Sequence, residues 1–266
     1  MVWGKDNFPN FNIKLGENEL KCVKQCKHMG VDLCTNSQLQ KDAYARRIGV
    51  CRQSLLAFRG IGTYHVPATP SILSNVYNSV CLTRMLYGIE VLPISYTNMN
   101  DMEHAHLQHA KLIQGLPKNI ATPAPLATLG WLSVKALISK MKILFLIRTL
   151  LLSLNNIYRR VAILKLSTYD SGDNIHSPIE DICKRAQASG LLHLIMEIAN
   201  NASYFSYEQI KHRVKTIIKD HDILEWRATC LLYHNLNNYS AAVHTVKLHT
   251  WWVVSQKIPH VYKQID

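Results

Sequence analysis

The sequence predicts a mainly α-helical protein with a small antiparallel β element at its N-terminus. Three observations predict it. Apolar residues recur at helical spacing from Asn36 onward. Thr69-Pro70, Thr122-Pro123 and Ser177-Pro178 each set a capping residue before a proline suited to the first helical position. Period-two alternation runs through Phe11–Leu15 and Met29–Leu33, near the start.

Val2-Trp3-Gly4 opens the chain as a strand-like piece with no cap before it, the pattern of a fragment. Phe11–Leu15, the turn Gly16-Glu17-Asn18, Leu20, Val23 and Met29–Leu33 then read as two or three short strands. A lone hairpin is marginal in water, so these strands need the helices or further sheet to hold them.

Asn36 or Ser37 caps a helix to about Phe58, with Leu39, Ala43, Ile48, Cys51 and Leu55 inward and Arg46, Arg47, Arg52 and Arg59 outward. Gly60-Ile61-Gly62 stops it. From Pro70, the residues Ile72, Leu73, Val76, Val80 and Met85 make a helix ending near Tyr87-Gly88. A third runs from about Asn100 to Gln114 and carries His104, His106 and His109. A short helix from Pro123 closes at Gly130. Ser133 caps a long apolar helix to about Leu154, whose Lys135, Ser139, Lys142, Thr149 and Ser153 fall on one stripe: a core helix with one solvated edge. Asn156–Leu166 carries Arg159-Arg160. Tyr169–Asn174 is a polar linker and the predicted boundary. Ser177-Pro178-Ile179-Glu180 is a capping box, followed by helices to about Ala188, over Leu191–Ala199 and over Ser206–His234. Ser240–Ser255, with Trp251-Trp252, is apolar and helical in pattern. The expected units are 1–35, a hairpin; 36–169, a basic helical domain; and 170–266, a C-terminal helical domain.

Thirty Lys and Arg against eighteen Asp and Glu give a net charge of +12. Nine of those cations and none of the acids lie in residues 104–169. Two readings fit: a helical core with a solvated basic face, or a surface for a polyanion. The basic balance points to nucleic acid rather than acidic small substrates, an anionic membrane surface being the other polyanion of this kind. Lys140, Lys142 and Arg148 argue against a membrane span in the apolar window Ala136–Leu154. Seven cysteines, without a Cys-x-x-Cys and without a secretory leader, are expected to be reduced thiols of an intracellular protein.

Other chemistry is sparse. On a helix only His106 and His109 of the histidine run share a face, and two ligands make a poor zinc site. Cys230 and His234 likewise lack partners. Asp220-His221-Asp222 with Glu225 reads as a charged helix face. Trp251, Trp252 and Tyr262, near Lys257 and Lys263, are candidates for stacking on bases, with one tryptophan anchoring the core. There is no phosphate-cradling glycine loop and no Gly-x-Ser-x-Gly nucleophile motif.

Four pieces, in order, resemble the reverse transcriptases of non-LTR retrotransposons. Met1–Lys5 looks like the strand after the last palm motif. Lys27–Leu33 looks like the primer-grip hairpin. Met85-Leu86-Tyr87-Gly88-Ile89-Glu90 resembles the end of a thumb helix. Leu116-Pro117 through Leu126, Gly130, Trp131 and Leu132 resembles a segment downstream of it. The resemblance covers about residues 1–165. It implies that His28, Met29 and Gly30 form a primer grip, with Met29 in place of the usual leucine, a swap that nearly conserves volume. It also implies that Arg46, Arg47, Arg52 and Arg59 contact the phosphates of an RNA/DNA template–primer duplex. Lys135, Lys142, Arg159 and Arg160 extend this candidate nucleic-acid-binding set.

The departures bear on activity. The family's two metal ions sit on adjacent aspartates, and this chain has no Asp-Asp. Nor does it carry the family's fingers, its endonuclease or a cysteine-rich zinc knuckle. The expectation is a C-terminal piece of an RNA-directed DNA polymerase, starting just after the catalytic turn, with no catalytic residue and no cofactor of its own. The full-length enzyme would use Mg2+, and the missing palm and fingers would be partners. The alternative is a helical protein-interaction module of retroelement origin without a nucleic-acid role.

Overall fold

The computed structural model describes residues 14–15, 18–19, 24–34, 36–61, 69–170, 178–233 and 236. The protein is mainly α-helical, with short antiparallel strands at its N-terminal end. Strands β1 (Lys14–Leu15) and β2 (Asn18–Glu19) pair antiparallel, as do β3 (Gln25–His28) and β4 (Val31–Cys34). The β3–β4 turn is Met29-Gly30, with φ of 50° and 80°. Two successive positive φ values give the turn the twist that a two-residue hairpin requires. The strand expected at Met1–Lys5, the start of the Phe11–Leu15 strand and the Ser240–Ser255 segment lie outside the described residues.

Helix α1 (Ser37–Ile61) begins where Asn36 Oδ1 accepts from the Leu39 amide at 2.8 Å. The single helix expected from Pro70 is three joined pieces: α2 (Pro70–Val76), a π-helical turn (Tyr77–Cys81) and α3 (Leu82–Leu86). The Leu82 amide donates to the Tyr77 carbonyl, the five-residue step that defines the turn. Helix α4 (Tyr96–Gln114) starts before the expected Asn100 because the Ser95 hydroxyl accepts from the Asn98 amide at 3.2 Å. It ends at Gly115, and α5 (Pro123–Leu129) ends at Gly130, both glycines left-handed. Then follow α6 (Val134–Leu150), α7 (Ile157–Asp170), α8 (Pro178–Ala188), α9 (Leu192–Asn200) and α10 (Tyr207–Leu231).

Two apolar cores organise these helices. Helices α1 to α5 bury Tyr77, Met85, Ile89, Met102 and Trp131 together with Ile138 of α6. Farther along α6, Ile143, Leu146, Ile147 and Leu150 pack with Cys183, Ile195, Ile198 and Val214 of α8 to α10. Each such fully buried side chain stabilises by roughly 1.5–3 kcal/mol relative to exposure. Serving both cores explains why α6 is apolar nearly all round. Helix α7, before the expected boundary at 170, and α8, after it, share the second core. Among the described residues, no helix is long and apolar enough to cross a membrane.

Candidate functional site

The hairpin tip is seated on the end of α3. Tyr87 Oη donates to the Met29 carbonyl at 3.0 Å. A Cβ on Gly30 would lie 3.3 Å from the Tyr87 ring, and one on Gly88 would come within 2.5 Å of Val31 Cγ2. Gly88 therefore needs glycine for close approach as well as for positive φ, while Gly30 is held to glycine by its φ, with the Tyr87 ring in tight contact. Arg47 Nη1 donates to the Tyr87 carbonyl at 2.6 Å, and Arg46 reaches Asp32 of β4 at 3.5 Å. Two segments far apart in the chain, Lys27–Leu33 and Met85–Glu90, thus meet beside the α1 arginines. Met29 is 77% exposed at the tip, and His28 is exposed with it.

The acid-free stretch does not form one basic face, which corrects the polyanion reading of residues 104–169. Acids from α8 and α10 fold back onto it. Lys142 is 1% exposed, donates to the Leu92 carbonyl at 2.7 Å and lies 3.1 Å from Asp181. Burial lowers its pKa, partly offset by Asp181. Lys135 pairs with Glu225 at 2.7 Å. Arg159 is buried and donates to the Leu152 carbonyl at 2.9 Å. Lys142 and Arg159 therefore leave the candidate set, and Lys135 is neutralised in place. Arg160 is exposed on α7, which packs on α6 and α8. The Arg59 side chain lies outside the described residues.

The α1 cations divide. Arg46 and Arg47 face the hairpin, whereas Arg52 lines a groove of about 640 Å³ between α1 and α4. Lys41, Ala45, Ile48 and Arg52 of α1 face Asp101, His104, Gln108 and Lys111 of α4 across it, with Lys118 at one end. Lys41 and Arg52 are eleven residues apart, three helical turns, so their shared face was present in the sequence. What the sequence did not indicate is that α4 would lie opposite. Lys111 Nζ donates to the Lys118 and Ile120 carbonyls at 2.8 and 2.9 Å, which holds the loop that carries Lys118.

Behind this groove lies a buried polar network. His106 Nε2 is 3.1 Å from the Leu132 carbonyl, and Tyr77 Oη is 2.8 Å from His106 Nδ1. A carbonyl only accepts, so His106 carries its proton on Nε2 and accepts a hydrogen bond from the Tyr77 hydroxyl at Nδ1. The Tyr77 oxygen also lies 3.4 Å from His109 Nδ1, with Cys51 Sγ 3.8 Å from the same nitrogen. Trp131 stacks on Tyr77 at 4.4 Å and on His106 at 4.9 Å between ring centroids. Burial pushes His106 down to about 3; burial and the Arg52 charge push His109 down to about 4. Both imidazoles are neutral near pH 7. Burial also raises the Cys51 thiol to about 12, so it is not a nucleophile. Among the described residues, no group of three or more His, Cys, Asp or Glu is arranged to hold a metal, and the described cysteines are free thiols.

A second concavity of about 630 Å³ lies between α4, α5 and α10, with Met99, Leu126, Trp131 and Trp226 on its walls. Its polar edge is the α6 N-terminus. Asp222 accepts from the Ser133 amide at 3.0 Å and from its hydroxyl at 2.5 Å, while Glu103 accepts from the Lys135 amide at 3.2 Å. This assigns Asp222 of the Asp220-His221-Asp222 run to capping. No family of known proteins matches this chain, and no curated protein or solved structure matches it either.

Proposed function

We propose that this chain is the thumb and downstream part of an RNA-directed DNA polymerase of the non-LTR retrotransposon type. It holds a template–primer duplex through the backbone and does not polymerise by itself. The reading is supported chiefly by the seat of the hairpin tip on Tyr87 and Gly88. The segments that resemble a primer grip and a thumb-helix end hold each other there, each contributing a glycine of positive φ, and a Cβ at Gly88 would collide with Val31. Arg46 and Arg47 lie beside that junction, where phosphate contacts would be independent of sequence. Mg2+ would supply the metal-ion chemistry of the parent enzyme from its own palm. This chain's residues would grip and orient.

The test is binding of the chain to RNA–DNA hybrids of several unrelated sequences, with Arg46→Gln as the variant. Arg46 is chosen because its contact with Asp32 is a long, exposed ion pair, whereas Arg47 holds the Tyr87 carbonyl at 2.6 Å. The reading expects a weakening of about two- to fivefold, equal for all sequences, as one lost phosphate contact gives. An effect confined to one sequence would indicate base readout and oppose it.

A second reading, a helical protein-interaction module, draws on α7. Ile157, Tyr158, Val161 and Leu164 are exposed along it at helical spacing, with Leu154 exposed in the turn before it. Such a stripe is what a partner helix covers.

A further inference from the structure

The geometry points to the α1–α4 groove as a nucleotide site, taking a flat polar heterocycle between Ile48 and Leu112 and its phosphate at Arg52 and Lys118. This goes beyond duplex binding and does not depend on it, because the groove lies on the opposite side of α1 from the hairpin arginines. Four observations carry it.

The groove has the volume of a small-ligand pocket, about 640 Å³. Its walls are aliphatic while Lys41, Arg52 and Lys118 stand around it, with Asp101 as the acid among the lining residues. Arg52 and Lys118 are exposed, so a phosphate reaches them without rearrangement. The fourth observation is His109, which is 4% exposed yet lines the groove. Its Nδ1 is occupied on the core side by Tyr77 and Cys51. With its own proton directed to His106, the Tyr77 oxygen can only accept from His109 Nδ1, so the tautomer that makes this bond carries the proton there. In that tautomer Nε2, on the other edge of the ring, is unprotonated. A neutral acceptor in an aliphatic slot suits an amine or ring N–H of a base. It does not suit the apolar face of a peptide helix, which would bury the nitrogen unpaired. Nor does it suit a bare phosphate, which offers acceptors to an acceptor.

A nucleoside monophosphate and one unpaired nucleotide of a strand share this chemistry. The experiment is a titration of the full chain, read by fluorescence or calorimetry and by the NMR signals of the His109 ring. The probes are adenosine 5′-monophosphate, the same nucleotide lacking its 6-amino group, adenosine, inorganic phosphate and a single-stranded tetranucleotide. The expected result is that the monophosphate binds and shifts the His109 signals. Loss of either the amine or the phosphate weakens binding about tenfold, the size of one hydrogen bond or ion pair. Arg52→Gln and Lys118→Gln, both surface changes, each weaken it severalfold while the melting temperature holds. Tighter binding of the tetranucleotide, with the same loss in both variants, assigns the site to a strand. Equal binding assigns it to the free nucleotide. The proposal is overturned if inorganic phosphate binds as well as the nucleotide, if the His109 signals stay still, if both variants leave the affinity unchanged, or if an acidic amphipathic peptide displaces the nucleotide while binding more tightly. A chain that binds the monophosphate but no RNA–DNA hybrid keeps this site and loses the polymerase reading.

Discussion

Glu103 carries the clearest linkage between proton binding and stability. Burial raises its carboxyl to about 7 against an ordinary 4.5, even though backbone amides of Val134 and Lys135 pull it down and Asp222 adds to the rise. A raised carboxyl means the folded state holds the proton more tightly. The resulting stability is complete below pH 4.5 and is lost as the pH rises through 7. Glu103→Gln keeps an acceptor for both amides and removes the charge. It should melt higher than the parent at pH 8, by roughly 1–3 kcal/mol, and match it near pH 4.5. A variant less stable at pH 8 would show that the carboxylate is needed at the helix start. Lys142 is the counterpart on the cationic side. Lys142→Met removes the donor to Leu92 and one of two cations on Asp181, the other being Arg185 at 2.9 Å. Denaturant unfolding should show a loss of about 1–3 kcal/mol, because Asp181 keeps one partner. Binding to nucleic acid should not change, since a cation 1% exposed contacts no phosphate.

At the scale of elements, the hairpin seat and the helix ends separate what sequence can and cannot disclose. Gly88 and Gly190 both have positive φ, but a Cβ at Gly88 strikes Val31 whereas one at Gly190 meets open space. Gly190→Ala should cost about 1 kcal/mol, the left-handed penalty alone. Gly88→Ala should cost more and should also free the β3–β4 amides to faster hydrogen exchange. Equal effects of the two would mean the hairpin does not rest on Gly88. Helix starts at Asn36, Thr69 and Ser133 were legible because a cap is local chemistry: each side chain reaches an amide three residues on. The stops at Gly88 and Gly130 were legible for the same reason, whereas Met29-Gly30, read as the start of a strand, is the β3–β4 turn, and α1 runs past the expected stop at Gly60 to Ile61. The π turn at Tyr77–Cys81 was not, since apolar spacing barely differs between one helix and a helix with a single wide turn.

Charge is where the chain and the folded molecule differ most. Along the sequence, residues 104–169 look like an uncompensated basic tract; in space Asp181, Asp222 and Glu225 sit on that tract or on its helix start. Sequence spacing gives the phase of a residue on its own helix but not which helix packs opposite. Lys142 and Arg159 therefore read as surface cations and proved to be buried, while Lys41, Lys118 and His109 were not recognised as sharing a groove. On α1 what survives of the candidate set lies at mid-helix: Arg46 and Arg47 with the hairpin tip on one side, Arg52 in the groove on the other.

The most direct measurement is the affinity of the whole chain for an RNA–DNA hybrid across a salt series. With two to four cations in contact, the slope of log affinity against log salt should lie between about −2 and −4, at about 0.9 per phosphate. The slope should be unchanged in Lys142→Met and shallower by about one in Arg46→Gln. A flat response, or no binding at low salt, would contradict the duplex-holding role.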